Sequence, residues 1–244
     1  MRERAGELSS VEARQREQHA RLLTQREERR ATLARISSKI AQQRKEIGNL
    51  QRDERQLTRL IERLDRIIAA QAAAAAEARR RAKAQAAARP PGGGAANAPE
   101  IAVEQTPEAL PAGRFAALKG RLRLPVAGTL TNRFGARRQE GSVWKGLFIR
   151  AAPGAEVKAI AAGRVVWADW MRGVGNLLIV DHGDGYLSVY GYNDAVLKQV
   201  GDAVQGGDAI AAAGNSGGNP ESGLYFELRH RGQPIDPLQW VSLR

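Results

Sequence analysis

Residues 163–192 read GRVVWADWMRGVGNLLIVDHGDGYLSVYGY, and this stretch decides the fold of the C-terminal half of the chain. Apolar and β-branched runs alternate here with turns rich in Gly and Asp, a pattern that predicts strands joined by hairpins. Strands separated by such short turns build antiparallel sandwiches or barrels, so residues 114–244 are predicted to form a small, mainly β domain. The predicted strands are Val157–Ile160, Gly163–Asp169, Asn176–Asp181, Leu187–Tyr192, Ala209–Ala213 and Leu224–Arg229.

The N-terminal part of the chain has the pattern of a long amphipathic helix. Its apolar residues step by three and four, which is the heptad seam of a coiled coil. One helix does not bury its own stripe, so the partner is residues 8–30 folded back, a second copy of the chain, or a segment outside this chain. Polar residues at two seam positions, Gln43 and Glu54, are expected to fix register or orientation. The first seam position holds Leu33, Ile40, Ile47, Glu54, Ile61 and Ile68, and the second holds Ile36, Gln43, Leu50, Leu57 and Leu64.

Positive charge is concentrated in this helical part. Residues 1–89 hold 22 Lys and Arg against 12 Asp and Glu, a net of +10, whereas residues 90–244 hold 16 against 14, a net of +2. The cations alternate with acidic residues and lack the interleaved aromatic side chains on which bases stack, so no nucleic-acid partner is expected. A solvated helix surface is the main interpretation, and attraction to an acidic partner or to anionic phospholipid is the alternative.

A change in composition divides the chain. Residues 69–88 are almost entirely Ala, Arg, Gln and Glu, which favours an exposed helix without an apolar stripe, and the Pro and Gly run over 90–94 ends it. The predicted organisation is a coiled-coil arm over 1–88, a flexible linker with a short regulatory helix over 89–113, and the β domain over 114–244. Apolar residues in the segment 100–113 suggest that it folds over the β domain as a self-inhibitory element.

Four short motifs carry a resemblance to a known family. They are Asn132-Arg133-Phe134-Gly135, Trp144-Lys145-Gly146, Tyr190-Gly191-Tyr192-Asn193 and Leu224-Tyr225-Phe226-Glu227, and their order and spacing are similar to those of the lysostaphin-like LytM metallopeptidases. The resemblance covers the C-terminal half of the chain. It implies an antiparallel sheet with a groove in which the zinc and the substrate peptide of that family lie.

The metal ligands of that family are replaced in this chain. Aligned on the motifs, the family's His-x-x-x-Asp pair falls on Trp144 and Phe148, its His-x-His pair on Gly223 and Tyr225, and its additional His on Tyr192. Zn²⁺ takes imidazole, thiolate or carboxylate donors, which indole, phenyl and glycine do not supply. No metal, no cofactor and no catalytic residue are therefore expected. The chain has no Cys, and its three His residues, His19, His182 and His230, are expected at the surface or in turns.

A coiled-coil arm, a linker and a LytM domain stripped of zinc ligands together resemble the EnvC-type murein hydrolase activators. The resemblance implies a non-catalytic protein that binds the regulatory helix of periplasmic N-acetylmuramoyl-L-alanine amidases and relieves their autoinhibition. Septal peptidoglycan is then cleaved and daughter cells separate. It also implies that the coiled coil docks on the FtsE–FtsX division complex and controls access to the groove, with peptidoglycan as a further partner.

The same resemblance implies that a binding groove replaces the catalytic site. Aromatic side chains beside cations have the composition of interface hot spots. Tyr190 lies two residues from Tyr192, so both are expected on the same sheet face. The predicted amidase-binding groove consists of Trp144, Lys145, Phe148, Tyr190, Tyr192, Gly223, Tyr225 and Arg229.

Two other functions compete with this prediction. An active endopeptidase needs a zinc ligand set that the chain does not supply. A peptidoglycan-binding or scaffolding module of the division site would hold the wall without activating an amidase. The first residues form no apolar leader segment, which alone favours the cytoplasm. The resemblance implies the periplasm instead, so the chain is expected to be a piece of a longer protein or to begin downstream of the true start.

Overall fold

The computed structural model describes residues 2–87, 114–138 and 142–242, with the side chains of the N-terminal helix from residue 14 to residue 85. The chain divides into two compact units, Met1–Arg52 and Asp53–Arg244. One long helix, α1 (Arg2–Ala87), contributes residues to both units. The predicted linker over 89–113 and the self-inhibitory element suggested over 100–113 lie outside the described residues.

The first unit consists of the first part of α1. Exposed pairs four residues apart, such as Glu17 and Arg21 with 2.6 Å between carboxylate and guanidinium, support this helix along its length. The long N-terminal helix predicted from the sequence is confirmed, whereas its pairing as a coiled coil remains a prediction. No helix in the described ranges combines the length and apolarity that a bilayer crossing requires. Six apolar residues along the predicted seam in the first part of α1 are 41–66% exposed: Leu22, Leu23, Leu33, Ile36, Ile40 and Leu50.

The second unit is built on two antiparallel sheets, and the predicted fold class, a long helix followed by an antiparallel LytM-like domain, is confirmed. The larger sheet has the order β1-β2-β10-β6-β5-β4-β8, with β11 paired to β10, and the smaller has the order β3-β9-β7. Short 3-10 helices lie at Ala116–Leu118 and Pro237–Gln239. The strands are β1 Thr129–Asn132, β2 Leu147–Arg150, β3 Glu156–Lys158, β4 Gly163–Met171, β5 Gly175–Asp181, β6 Tyr186–Asn193, β7 Ala195–Val196, β8 Ala203–Val204, β9 Ala209–Ala212, β10 Gly223–His230 and β11 Gln233–Ile235.

Strand β5 shows why the larger sheet needs a layer on each side. Its run Leu177-Leu178-Ile179-Val180 is fully buried, and alternate residues point to opposite faces. Leu178 and Val180 face the inner core, which lies between the two sheets and includes residues of β3 and β9. Leu177 and Ile179 face the opposite side, where the cover is α1 itself.

The sheet face opposite the inner core is called the groove face here, and its buried sheet residues are Leu177, Ile179, Leu187, Val189 and Tyr225. Residues 53–68 of α1, called the covering segment, lie against it. Leu57 and Ile61 are 5% and 0% exposed in this contact. These are seam positions of the predicted heptad, so this part of the seam packs on a β-sheet.

Candidate functional site

The positions that correspond to zinc ligands in LytM enzymes come together at one end of the groove face. Phe148 on β2 lies opposite Tyr225 on β10 in the strand register, and the neighbouring residues Leu147 and Ile149 point into the inner core. The ring centroids of Phe148 and Tyr192 are 5.9 Å apart, as are those of Tyr192 and Tyr225, and those of Trp144 and Tyr225 are 6.3 Å apart. These separations are typical of favourable aromatic pairs.

Gly223 completes this aromatic cluster by leaving room for it. A Cβ atom at Gly223 would lie 2.8 Å from Cζ of the Phe148 ring and 2.4 Å from the carbonyl oxygen of Ile149. Glycine at this position therefore lets the tip of the Phe148 ring approach the start of β10. The arrangement is a packed apolar wall where LytM enzymes hold a charged metal centre.

Tyr190 does not belong to this cluster, which corrects one prediction. Its side chain is fully buried in the inner core, and its hydroxyl oxygen accepts a hydrogen bond from the backbone N–H of Ile160 at 3.2 Å. Tyr192 has φ of +66°, a left-handed conformation that breaks the alternation of strand β6 and turns its ring to the groove face. Two residues of separation therefore place Tyr190 and Tyr192 on opposite faces of the sheet.

Three side chains on β10 form a buried polar chain under the groove face. The Tyr225 hydroxyl donates to Oε2 of Glu227 at 2.7 Å, and Nε of Arg229 donates to Oε1 of Glu227 at 2.7 Å. Arg229 also donates from Nη1 to the carbonyl of Gly232 at 3.0 Å. Arg229, predicted as a cation of the amidase-binding groove, is 1% exposed and lies beneath the groove face. The physical reason is that Glu227 lies two residues away on the same strand face, where its carboxylate forms an ion pair with the Arg229 guanidinium.

Burial decides the electrostatics of this chain of side chains. Desolvation raises the pKa of Glu227, and the neighbouring Arg229 cation opposes that rise. Desolvation also raises the pKa of Tyr225 well above its usual value, and the Glu227 carboxylate adds to the rise. Tyr225 is therefore a neutral hydrogen-bond donor. Nη2 of Arg229 is buried and has no hydrogen-bond partner among the described residues, which leaves its two N–H groups unpaired beneath the groove face.

The donor set does not fit a catalytic zinc ion. The aligned ligand positions supply indole, phenyl, phenol and a glycine, and the one carboxylate nearby, on Glu227, is occupied by Tyr225 and Arg229. Within the described ranges no group of three or more His, Cys, Asp or Glu side chains is arranged to hold a metal ion. What the site presents is an apolar, aromatic surface.

The covering segment is held on the groove face by two ion pairs as well as by Leu57 and Ile61. Nζ of Lys145 lies 2.9 Å from Oε1 of Glu54, and Nε of Arg172 lies 3.4 Å from Oδ1 of Asp53. Lys145 also lies 3.4 Å from the hydroxyl oxygen of Thr58. Glu54, the polar residue that interrupts the heptad, thus fixes the register of the helix on the sheet, as a polar seam residue does between helices.

Gly173 permits a close approach of α1 to the turn between β4 and β5. Its φ is +77°, and a Cβ atom there would lie 2.5 Å from the Asp53 carboxylate. The turn between β4 and β5 therefore has the one residue type that allows both this backbone conformation and this contact. The helix and the turn fit each other at the backbone level.

His182, expected in a turn at the surface, is instead buried beside the inner core, and sequence reasoning missed this role. Its Nδ1 lies 2.7 Å from the carbonyl oxygen of Ala162, so Nδ1 carries the proton and Nε2 accepts from the Ser188 hydroxyl at 2.7 Å. Burial lowers the pKa of His182 to about 4. The ring stacks on Phe115 with centroids 4.5 Å apart. Ser188 is fully buried, so this Ser and His pair supports the core and is not a nucleophile with its base.

Comparison with known proteins finds similarity to a protein family and to solved structures. Residues 142–237 match the model of Peptidase family M23. Among solved structures, a zinc-containing peptidase from Vibrio cholerae matches 49% of this chain and 40% of its own, with 25% sequence identity and a TM-score of 0.46.

Closer relatives are named as activators. The chain is 37% identical to the murein hydrolase activator EnvC of Escherichia coli (strain K12) over 223 residues, which cover 91% of this chain and 52% of that protein. It is also 39% identical to the murein hydrolase activator NlpD of Salmonella dublin over 123 residues, which cover 50% of this chain and 32% of that protein. The resemblance to EnvC-type activators is thereby confirmed, and the chain spans about half the length of the EnvC relative.

Proposed function

We propose that this chain is a non-catalytic activator of N-acetylmuramoyl-L-alanine amidases, and that the groove face is where an amidase docks. One observation carries the proposal: a face without zinc donors is covered by an amphipathic helix of the same chain. A surface that accepts Leu57 and Ile61 in an apolar groove has the chemistry that accepts a partner's amphipathic helix. Relatives named as murein hydrolase activators support the same function.

Activation of the amidase requires that the covering segment leave the groove face, because an amidase helix and α1 compete for that face. Burying Leu57 and Ile61 contributes about 1.5–3 kcal/mol each, or about 3–6 kcal/mol together. A ligand that moves a two-state equilibrium from 1:99 to 99:1 must supply about 5.5 kcal/mol of differential binding. The cover is thus strong enough to keep the groove face closed and weak enough to be displaced by a partner of ordinary affinity.

We propose that the division machinery displaces α1. We also propose that the protein acts in the periplasm, where amidases reach peptidoglycan. The seam residues upstream of the covering segment, including Leu33, Ile36 and Ile40, are exposed and offer an apolar stripe to another helix. Docking of this arm on the FtsE–FtsX complex is the release step that we propose. The opening element is then α1, a described part of the chain, in place of the segment 100–113.

The test is release of dye from labelled peptidoglycan by a purified amidase, with and without the 244-residue chain. Ile61→Asp places a charge in the covered face and removes the contact, so activation should rise about tenfold or more, since each 1.4 kcal/mol is a factor of ten. Ile67→Asp makes the same chemical change at a side chain that is 43% exposed on the same helix, and it should leave activation unchanged.

Two further results decide between the candidate functions. In the Ile61→Asp chain, Trp144→Ala and Tyr192→Ala should abolish activation, because both rings pack at the groove face. If the opened chain binds peptidoglycan but neither binds nor activates any amidase, the wall-scaffolding function replaces this proposal. If the chain alone cleaves the labelled wall when zinc is added, the domain is an endopeptidase and the proposal fails.

A further inference from the structure

A second concave surface lies away from the groove face. It is a cavity of about 740 Å³ whose lining comes from residues 114–124, the segment 158–162, His182 and the turn 205–207. Its floor is apolar, and Phe115, Leu122 and Ile160 in that floor belong to the inner core. None of its described lining residues belongs to α1 or to the groove face, so a ligand could occupy it whether the groove face is open or closed.

The rim of this cavity carries only positive charge. Arg114, Arg121, Arg123 and Lys158 line it, and no Asp or Glu is among its described lining residues. Lys158 has one acidic neighbour, Glu156, at 3.3 Å, but both side chains are about half exposed, so solvent weakens that pair. None of the three Arg side chains makes an ion pair with a described residue, and the rim therefore has unused capacity for anions.

The pattern of sequence around the first 3-10 helix explains how the rim is built. Residues 114–124 read RFAALKGRLRL, with four cations and no acid. The apolar members Phe115 and Leu122 are buried, whereas the Arg residues stay exposed. Each buried residue anchors the backbone so that its charged neighbours project at the edge of the cavity. Phe115 is fixed further by stacking on His182 and on Trp240, with ring centroids 4.5 Å and 5.2 Å apart.

We propose that this cavity binds the carboxylate-bearing peptides of peptidoglycan, with the Arg rim on the carboxylates and the half-buried Leu118 and Leu124 of the lining on the aliphatic parts. The inference rests on the proposed function, because an activator of wall amidases meets such peptides as the substrate of its partner. Guanidinium groups bind carboxylates by paired hydrogen bonds. An activator that holds the amidase at its groove face and the wall at this cavity would position the enzyme on its substrate.

The shape of the cavity favours a chain-like ligand over a membrane surface. A bilayer is contacted by a protruding surface, often with exposed aromatic or aliphatic side chains, whereas the apolar residues Phe115 and Leu122 are 3% and 4% exposed at the bottom of a cavity. Stacking of nucleic-acid bases also needs accessible rings, which these are not. A short peptide with several carboxylates fits the observed combination of concave floor and cationic rim.

The test measures binding of soluble disaccharide–tetrapeptide fragments of peptidoglycan to the full 244-residue chain by calorimetry. Arg121→Glu combined with Arg123→Glu should weaken binding about tenfold or more, since charge-assisted hydrogen bonds contribute about 1.5–3 kcal/mol each. Lys198→Glu combined with Arg231→Glu makes the same change in net charge outside the cavity and should leave binding intact. Fragments whose peptide carboxyl groups have been amidated should bind the wild-type chain weakly. Their affinity should match that of the unmodified fragments for the chain with Arg121→Glu and Arg123→Glu.

Each remaining outcome counts against the site. Equal losses in the two double variants would show a general charge effect, and unchanged binding of amidated fragments would remove the role of the carboxylates. Tighter binding to phosphatidylglycerol vesicles than to the wall fragments, lost in the Arg121→Glu and Arg123→Glu chain, would assign the cavity to lipid. Amidase binding by the Ile61→Asp chain is measured in parallel. Wall binding without amidase binding would mean that the proposed function fails, and the reverse would mean that only this site fails.

Discussion

Glu227 is a carboxylate with no access to solvent, and its two oxygens are occupied by one phenol and one guanidinium. A buried ion pair adds little net stability because both groups lose hydration, but removal of one partner leaves a buried charge that is expensive. Position 229 is therefore sensitive to mutation whether or not its side chain ever touches an amidase.

The stability role of Arg229 can be separated from a binding role. Arg229→Met should lower the free energy of unfolding by about 3–5 kcal/mol, because Glu227 loses its cation. Adding Glu227→Gln removes the orphaned charge and keeps an acceptor for Tyr225, so the double variant should recover most of the loss. Urea unfolding followed by tryptophan fluorescence measures both. Equal instability of the single and double variants would mean that the pair does not act as one unit.

His182 should make the second unit sensitive to mild acid. Its pKa is about 4 in the folded state against an ordinary value of 6.5, so between these limits the unfolded chain binds a proton that the folded chain does not. Stability therefore falls as pH is lowered from 6.5 to about 4, by about 1.4 kcal/mol per pH unit and about 3 kcal/mol in total.

The measurement for His182 is unfolding by urea at a series of pH values, with His182→Gln as the comparison. Asp181 and Glu227, whose pKa values are raised, titrate in both proteins, so the difference between the two curves isolates His182. The wild-type chain should lose more stability than the variant over this window. Parallel curves would show that His182 is not held neutral by the fold.

Sequence reasoning at the level of single residues succeeded where chemistry is set by residue type and failed where it depends on backbone geometry. The loss of zinc donors at Trp144 and Phe148 follows from their side chains alone. The faces of Tyr190 and Tyr192 do not, because the positive φ of Tyr192 breaks the period of two that places side chains in a strand. Burial of His182 was missed because it depends on Phe115 and Ala162, which are distant in sequence.

At the scale of elements, the apolar stripe of α1 packs on the larger sheet, although its heptad spacing alone does not specify what kind of surface it contacts. Heptad spacing in residues 53–68 predicted a helical partner, and the partner here is the groove face of a sheet. A stripe three to four residues apart fits any elongated apolar surface. The strand run Leu177-Leu178-Ile179-Val180 was a signal of two covered faces, since a half-exposed strand alternates. The two patterns together could have predicted that α1 lies on the sheet.

The ion pair between Glu54 and Lys145 offers a test of the helix position. Glu54→Lys places two cations about 3 Å apart at the edge of the groove face, where Coulomb repulsion is about 1–4 kcal/mol, and it should raise amidase activation severalfold. Adding Lys145→Glu reverses the pair and should restore closure. Protection of the covering segment from hydrogen exchange reports closure directly. Protection that stays high in Glu54→Lys and falls only in the double variant would contradict this position.

At the scale of the whole molecule, the covering segment and the groove face behave as two states of one protein, closed and open. The chain has no Cys, so a pair of introduced thiols can be linked without side reactions. Asp53→Cys with Arg172→Cys replaces the ion pair between α1 and the turn after β4, in which the Arg172 side chain is 59% and the Asp53 side chain 11% exposed; both lie outside the predicted groove residues. A thiol-reactive linker with a cleavable disulfide can then hold the closed state.

Locking should abolish activation of the amidase, and reduction of the linker should restore it, because a covalent link removes the open state from the ensemble. Each single Cys variant treated with the same reagent serves as the control and should keep its activation. The dye-release measurement gives the result. Full activation by the linked protein would show that the amidase does not need the face beneath α1.

The positions of Leu57 and Ile61 on α1 have a mechanical consequence. They are four residues apart, so they lie on one side of a helix that turns 3.6 residues per revolution, and Asp53 lies on the same side one turn earlier. A rotation of α1 about its own axis by about 100° turns all of these side chains away from the sheet together. Torque applied to the helix would therefore release the cover in one step, and the signal passed to the enzyme would be binary and not graded.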